Sequence, residues 1–573
     1  MPSIAEKIID SLADQGVRTA WGVVGDALNP ITDAIRREER MRWIGTRHEE
    51  TAAFAAGAQA QLTGVLGVCM GTVGPGSVHL LNGLYDAKKS GVPLLAICGQ
   101  VPLAELGSDY FQEIDNDLLF RDVAAFRHTI TSPEQMPRVL EQAIHAAYAG
   151  PGVAVLTVPG DVGAMDCPDR QVSNGVAPPL LTPDEESLAR AEEILGGAAT
   201  VTMLVGTGAR RARQEVLAMA EHLSAPMVLT LKAKDALEDD NPFQIGQSGL
   251  IGNPATRTAL EGAGALLMVG TDFPYPEWLP ADTPTVQIDT EPGHIGRRTP
   301  VDVGIVGDAA TTLRALAQRV PANPERGHLD RARSEYLDWV DRQRHVTDPH
   351  KHGSFLSRLR SRSDPHGDLI RPEALAAAVD EHAADDAIFT ADTGMSVVWL
   401  SRFVTMRGDR RLLGSFNLGS MANALPQALG AAAAEPGRQV VAFCGDGGLT
   451  MLLGDLITAV AYELPVKVIV FDNGRLGMVK LEQEQGGLPE FGTVLANPDL
   501  SAVARAMGLN AARVTKPDDL RGAVADALNA PGPFLLDVVT DAVEIALPPK
   551  TTVSDAWGFA VAKLKEDLHS PGG

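Results

Sequence analysis

The stretch Arg438 to Arg475, RQVVAFCGDGGLTMLLGDLITAVAYELPVKVIVFDNGR, decides the reading of this chain. The apolar run Val440 to Cys444 reads as a strand, Gly445-Asp446-Gly447-Gly448 as a tight turn, and Thr450 to Tyr462 as a helix with apolar residues at helical spacing. Val466 to Phe471 reads as a second strand. Two short apolar runs flanking such a helix make a βαβ unit with parallel strands. Both strands then end at one edge of a sheet, the edge at which open α/β sheets bind ligands. Asp446 follows the first strand and Asn473 the second. A carboxylate and an amide carbonyl are hard oxygen ligands, which Mg²⁺ takes together with water and phosphate oxygens. The glycines let backbone N–H groups approach a phosphate, and a helix N-terminus favours negative charge. The alternative is an ordinary strand–turn–helix with Asp446 as helix cap. On Gly-Asp-Gly alone the two readings are balanced; Asn473 at the next strand end favours the Mg²⁺–diphosphate holder.

The rest of the chain has the same grammar. Its 573 residues suit about three or four domains. Strands are expected at Thr19 to Val24, Arg42 to Thr46, Gly64 to Met70, Leu94 to Cys98 and Val153 to Val158, with an alanine-rich helix from Glu49 to Leu62. Cys167 to Glu186 reads as a linker. A second α/β unit follows, with strands at Val201 to Val205, Pro226 to Leu231, Ala265 to Val269 and Thr285 to Ile288. Arg344 to Arg371 is polar and basic and reads as a long connector, with Ser354 to Arg360 able to form a helical turn. Strands alternating with helices predict an α/β chain of three doubly wound parallel-sheet domains. Their expected spans are 1–178, 186–345 and 368–550, with a C-terminal tail over 551–573.

Hydrophobic content of 45% with 21% charged residues fits a globular protein. A net charge of −24 argues against a nucleic-acid-binding surface. Four cysteines show no paired metal spacing; three sit in or beside apolar runs and read as buried thiols, which suits a reducing cytoplasm. The opening MPSIAEKIIDSLADQGV has an amphipathic helix pattern rather than that of a signal peptide. No apolar run approaches the ~20 residues that span a bilayer.

Gly-Asp-Gly-Gly followed by Asp-Asn after the next strand resembles the cofactor motif of thiamine diphosphate enzymes. The resemblance covers nearly the whole chain and implies pyrimidine-binding, central and diphosphate-binding domains. It implies that Asp446, Asn473 and the backbone carbonyl of Arg475 hold Mg²⁺, and that Gly447, Gly448, Gly474, Leu476, Gly477, Met478 and Val479 surround the diphosphate. In Gly414-Ser415-Phe416-Asn417-Leu418-Gly419-Ser420-Met421, it puts Gly419, Ser420 and Met421 at the cofactor, with Met421 propping it into a bent shape. Within Thr46-Arg47-His48-Glu49-Glu50, Glu49 takes the position of the family's catalytic carboxyl, which reaches the aminopyrimidine of a partner subunit's cofactor. The residues alone would make Glu49 a first-turn acid favoured by the helix dipole. As a proton donor to a ring nitrogen it would be partly buried with a raised pKa. Gly71-Thr72-Val73-Gly74-Pro75-Gly76 resembles the family's glycine loop beside the active site.

The finer resemblance is to the pyruvate oxidase and quinone-dependent pyruvate dehydrogenase family. It rests on RHEETAAFAAGAQAQL, on YFQ before EIDNDLLFRD, on RRLLGSFNLGSMANALPQALGA and on CGDGGLTMLLGD. Phe111-Gln112-Glu113 matches the oxidase and acetolactate synthase branches, which marks Phe111 and Gln112 as catalytic candidates. Ser248-Gly249-Leu250-Ile251-Gly252, Thr271-Asp272-Phe273-Pro274-Tyr275 and the strand-end Asp289 resemble FAD-contacting segments. A strand-end carboxylate suits ribose hydroxyls. The resemblance implies oxidative decarboxylation of pyruvate to acetate and CO₂ through hydroxyethyl-thiamine diphosphate, with electrons passing via FAD to a quinone. Two alternatives are an acetolactate synthase-type carboligase and a phosphate-dependent oxidase forming acetyl phosphate. After Asn473, Met478 resembles the synthases, standing where the quinone-dependent enzymes have a Phe, whereas Glu482 resembles the oxidases. The resemblance further implies a homodimer at least and normally a tetramer. Trp557 to Leu568 fits one short amphipathic helix bearing Lys563 and Lys565. Without a polybasic patch it would bind lipid weakly, so the expected location is cytoplasmic, with at most weak peripheral association with the cell membrane.

Overall fold

The computed structural model describes residues 1–149, 152–173, 180–348 and 369–542. The strands within them form three six-stranded sheets, parallel throughout. The first contains β1 (Thr19–Gly22), β2 (Arg42–Gly45), β3 (Gly67–Gly71), β4 (Leu94–Gln100), β5 (Phe126–Thr129) and β6 (Val153–Pro159), in the order β2-β1-β3-β4-β6-β5. The second contains β7 (Val201–Val205), β8 (Met227–Leu229), β9 (Gln244–Gln247), β10 (Ala265–Val269), β11 (Thr285–Asp289) and β12 (Val303–Val306), ordered β12-β11-β10-β7-β8-β9. The third contains β13 (Ile388–Ala391), β14 (Arg411–Gly414), β15 (Val440–Gly445), β16 (Val466–Asp472), β17 (Asn510–Val514) and β18 (Phe534–Val539). Its order, β14-β13-β15-β16-β18-β17, repeats that of the first sheet.

Central strands such as β3, β4, β15 and β16 are buried and mostly apolar because helices cover both faces of a parallel sheet. The helix Glu49–Thr63 is alanine-rich for a different reason. It lies against the helix Ala424–Ala434, and a Cβ on Gly430 would come within 2.2 Å of the Ala55 carbonyl oxygen. Small side chains on both helices permit that approach, and one apolar cluster runs from Ala52 and Ala56 to Ala428 and Leu429.

Three expectations change. The helix read from Thr450 to Tyr462 is two helices, Asp446–Met451 and Leu456–Ala461, separated by a tight turn at Leu453–Asp455. The break lets Asp455 reach the first domain, where it accepts the Arg47 N–H at 2.8 Å and the Thr51 hydroxyl at 2.6 Å. The linker read from Cys167 is anchored at its start, where Cys167 is buried and donates its N–H to the Pro2 carbonyl. The strand read from Gly64 begins at Gly67, because Gly64 is a left-handed helix cap. The Ser354 to Arg360 turn and the Trp557 to Leu568 helix lie outside the described residues. All four cysteines are free and buried. No helix among the described residues is long and apolar enough to cross a membrane.

Candidate active site

In the third sheet the chain leaves β13 toward one edge and β15 toward the other, so a crevice opens where the two neighbours end. A cavity of about 250 Å³ occupies it. Asp392 enters from the end of β13, Asp446 from β15 and Asn473 from β16. Of the residues expected around the cofactor, Gly419, Met421, Gly447, Gly448, Arg475, Leu476, Gly477, Met478 and Val479 also line this cavity, together with Glu482. Ser420 and Gly474 adjoin it.

Asp446 is 2% exposed and is not a simple helix cap. Its Oδ1 accepts the Gly447 N–H at 2.9 Å, while Oδ2 accepts the Gly474 N–H at 2.8 Å and the Asn497 amide at 2.6 Å. Gly474 turns its N–H back because it adopts φ +63°, a conformation easy only for glycine. Burial pushes Asp446 up to about 6, against the hydrogen bond from Asn497 and the two N–H groups. Asn473 Oδ1 accepts the Arg475 N–H at 2.9 Å. The turn glycines are set by close approach. A Cβ on Gly447 would lie 2.7 Å from Leu476 and 3.5 Å from the Met421 methyl; one on Gly448 would lie 2.3 Å from Asp392 Oδ2. Hard oxygens, an open glycine turn and an apolar prop in one crevice fit a Mg²⁺–diphosphate group.

Glu49, Phe111 and Gln112 do not line this cavity. Glu49 is buried at the edge of the first sheet, as expected, with Oε2 2.9 Å from His79 Nδ1 and Oε1 beside Gly76. Asn82 joins the two domains, donating to Glu50 at 2.7 Å and to the Ser420 hydroxyl at 2.8 Å. Gln112 takes φ +67° and packs its backbone on Gly74, whereas Phe111 is 79% exposed. Glu113 ties this loop, accepting the Gly107 and Tyr110 N–H groups at 2.5 and 3.0 Å, which hold its carboxyl below the usual range.

The second sheet has its own crevice, between β7 and β10. There a Cβ on Gly206 would lie 2.3 Å from the Gly270 carbonyl oxygen. Ser248, Gly249, Leu250 and Ile251 follow β9, and Thr271 to Tyr275, including Pro274, follow β10. A Cβ on Gly249 would lie 3.2 Å from Tyr275, and Phe273 packs edge-on against the Tyr275 ring. Asp289 ends β11, accepts the Glu291 N–H at 2.9 Å and lies 3.4 Å from His294; burial raises its pKa. Burial would also raise Asp272, but Lys232 at 3.3 Å and the Asn417 amide hold it below its ordinary value. Asn417 belongs to the segment that carries Met421, so its hydrogen bond to Asp272 joins the second crevice to that segment in the same chain. Burial, then the charges of Glu277 and Glu482, push the Tyr275 phenol up.

Several site residues escape the motifs. Asp392, Trp399 and the segment Thr540 to Ala542 line the cavity, and Asn497 bridges Asp446 and Asp472. The only local hint was Ala391-Asp392-Thr393-Gly394, a carboxylate and a glycine at the end of an apolar run.

Family models of thiamine pyrophosphate enzymes match in three blocks: the N-terminal TPP binding domain over residues 2–119, the central domain over 188–316 and the C-terminal TPP binding domain over 392–538. The chain is 38% identical to the YdaP protein of Bacillus subtilis (strain 168), whose name records thiamine pyrophosphate and no reaction, over 98% of this chain and 95% of that one. It is 33% identical to pyruvate oxidase of Lactiplantibacillus plantarum, over 93% and 87% of the two chains. It is 30% identical to the acetolactate synthase large subunit of Corynebacterium glutamicum, over 91% and 84%.

Proposed function

Because the chain belongs to the thiamine pyrophosphate enzyme family, we propose that it oxidatively decarboxylates pyruvate to acetate and CO₂, with FAD passing the electrons to a quinone. The observation that carries this reading is the pairing of two crevices in one chain. Asp446 and Asn473 face one; the second, at β7 and β10, is joined to the segment that carries Met421 by the hydrogen bond from the Asn417 amide to Asp272. A carboligase needs no electron path between its cofactors. When bound, thiamine diphosphate supplies the carbanion that attacks the keto carbon, and FAD the electron sink.

The protein's own residues have defined tasks in this reading. Asp446 and Asn473 side-chain oxygens and the Arg475 carbonyl hold Mg²⁺, and the N–H groups of the Gly447–Gly448 turn face the diphosphate. Met421 would be the apolar prop for the bound cofactor. Glu49, oriented by His79, would supply the proton-donating carboxyl. Every residue lining the cavity falls within 372–542, which supports a Glu49 supplied by a second copy and a homodimer as the least working unit. Glu482 would face the substrate from the cavity wall, and Phe111 and Gln112 would reach it, like Glu49, from the second copy. Ser248 to Ile251, Thr271 to Tyr275 and Asp289 hold FAD.

Met478 in the cavity wall favours acetolactate synthesis as the second reading, since the synthase branch carries Met there. One experiment separates the two. Purified protein is mixed anaerobically with thiamine diphosphate, Mg²⁺ and pyruvate while flavin absorbance is followed. Rapid bleaching, reversed by quinone with acetate formed, is the expected result. A flavin that stays oxidised while acetolactate accumulates overturns it.

A further inference from the structure

Two imidazoles stand beside the Glu49 carboxylate. His48 caps the helix Glu49–Thr63, its Nδ1 accepting the Glu50 N–H at 3.2 Å. His79 ends the short helix Pro75–His79 and lies 2.9 Å from Glu49 Oε2. The two rings stack at 4.4 Å. One ligand atom from each of His48, Glu49 and His79 lies within 4.8 Å of the others, which no other trio of His, Cys, Asp or Glu side chains among the described residues achieves. The His79–Glu49 hydrogen bond and the His48 helix cap fix the trio in place. A turn of the stacked rings about their side-chain bonds would aim both imidazoles at one ion. The rings are 37% and 42% exposed, so a hydrated ion can reach them, while Glu49 is only 10% exposed and fixed against Gly76. Glu50, oriented by Asn82, adds negative charge alongside.

Two imidazoles and a carboxylate, with one position open, are the donor set of a three-ligand zinc site. Imidazole selects zinc-like ions over Mg²⁺, so the Mg²⁺ expected at Asp446 would not compete here. We infer that His48, Glu49 and His79 bind a zinc-type divalent cation, and that this occupancy switches the enzyme off by taking up the Glu49 carboxylate. A metal-bound carboxylate is deprotonated and cannot donate a proton. Binding stands on the geometry alone; the inhibitory consequence rests on the role proposed above for Glu49.

The test begins with cofactor-free, full-length protein. Co²⁺ is titrated while visible absorbance is followed, and Zn²⁺ affinity is measured by competition with a chromophoric chelator. The expected results are the intense bands of four-coordinate Co²⁺ and a Zn²⁺ affinity that falls more than about tenfold in His48→Asn and in His79→Asn. Asparagine keeps the helix cap at position 48, so that variant retains its fold. Equal affinity in wild type and both variants, or the weak bands of six-coordinate Co²⁺, overturns the site. Turnover of the holoenzyme is then followed with Zn²⁺ under excess Mg²⁺. Wild type should be inhibited, a zinc-selective chelator should restore it, and His48→Asn should resist. Tight binding without inhibition leaves the metal site standing and overturns the switch and with it the role of Glu49.

Discussion

Replacing Asp392 by asparagine should stabilise the cofactor-free protein at neutral and alkaline pH and lose that advantage in acid. Asp392 is 2% exposed at the end of β13. Its Oδ1 accepts the Ala424 N–H at 2.9 Å, but Oδ2 faces Gly448 without a hydrogen-bond partner. Burial pushes its pKa from 3.8 to about 7, against smaller contributions from the Ala424, Gly445 and Asn423 N–H groups. Folding therefore raises the proton affinity of this carboxyl. Its stabilising contribution is complete below pH 3.8 and disappears as the pH rises through 7. At about 1.4 kcal/mol per pH unit, the native state above pH 7 bears at most about 4 kcal/mol from ionising this group. Asp392→Asn cannot ionise and keeps the acceptor for Ala424. Its amide replaces Oδ2 beside N–H groups, which costs about 1 kcal/mol or more. The net gain above pH 7 should be about 2–3 kcal/mol, shrinking to nothing or reversing near pH 4. Urea unfolding followed by tryptophan fluorescence at about pH 4, 6 and 8 measures the difference. A gap of one size and sign at all three pH values would refute the reasoning.

Three further outcomes follow from the same geometry. Glu49→Gln should fold normally and lose turnover by about 10²–10⁴-fold, the range for a lost general acid, and near-normal kcat with cofactor bound would sink the assignment. Asp446→Ala should weaken Mg²⁺-dependent thiamine diphosphate binding by about tenfold or more, read from quenching of Trp399 in the cavity wall; unchanged quenching counts against Asp446 as a ligand. Gly448→Ala forces a Cβ to within 2.3 Å of Asp392 Oδ2 and should lower stability by about 1–3 kcal/mol in urea unfolding. Wild-type stability would mean that the Asp392 side chain yields freely.

The legible parts of this molecule were those written in short range. β15, the glycine turn, β16 and Asn473 fall within one stretch of sequence, and the period of its apolar residues reports directly on two buried strands. The long sheet strands were equally plain, because burial on both faces leaves few polar interruptions, such as Lys467 in β16 and Thr157 in β6. The edge strands were less visible. β5 is half-exposed and carries mixed residues, β12 is a run of only four, VGIV, with alternating exposure, and β9 is a short run, QIGQ, with two glutamines. The helix break at Leu453–Asp455 could not be read locally, since Asp455 is drawn by Arg47 and Thr51 from more than 400 residues away. Asn497 and Asp392 were missed for the same reason. Each gains its place through a partner that another strand supplies, and neither sits in a recurring motif. Glu49 was found only through resemblance, because an acid in a first helical turn is ordinary on its own.

The repeated strand order of the first and third sheets puts a ligand-facing edge in the same place twice. The two edges carry different residues: that of the third sheet holds Asp446, Asn473 and the glycine turn, and that of the first holds Glu49 with His48 and His79. A chain built this way has complementary ends, one offering a carboxyl and the other a pocket, so in the dimer proposed above each copy would supply what the other lacks.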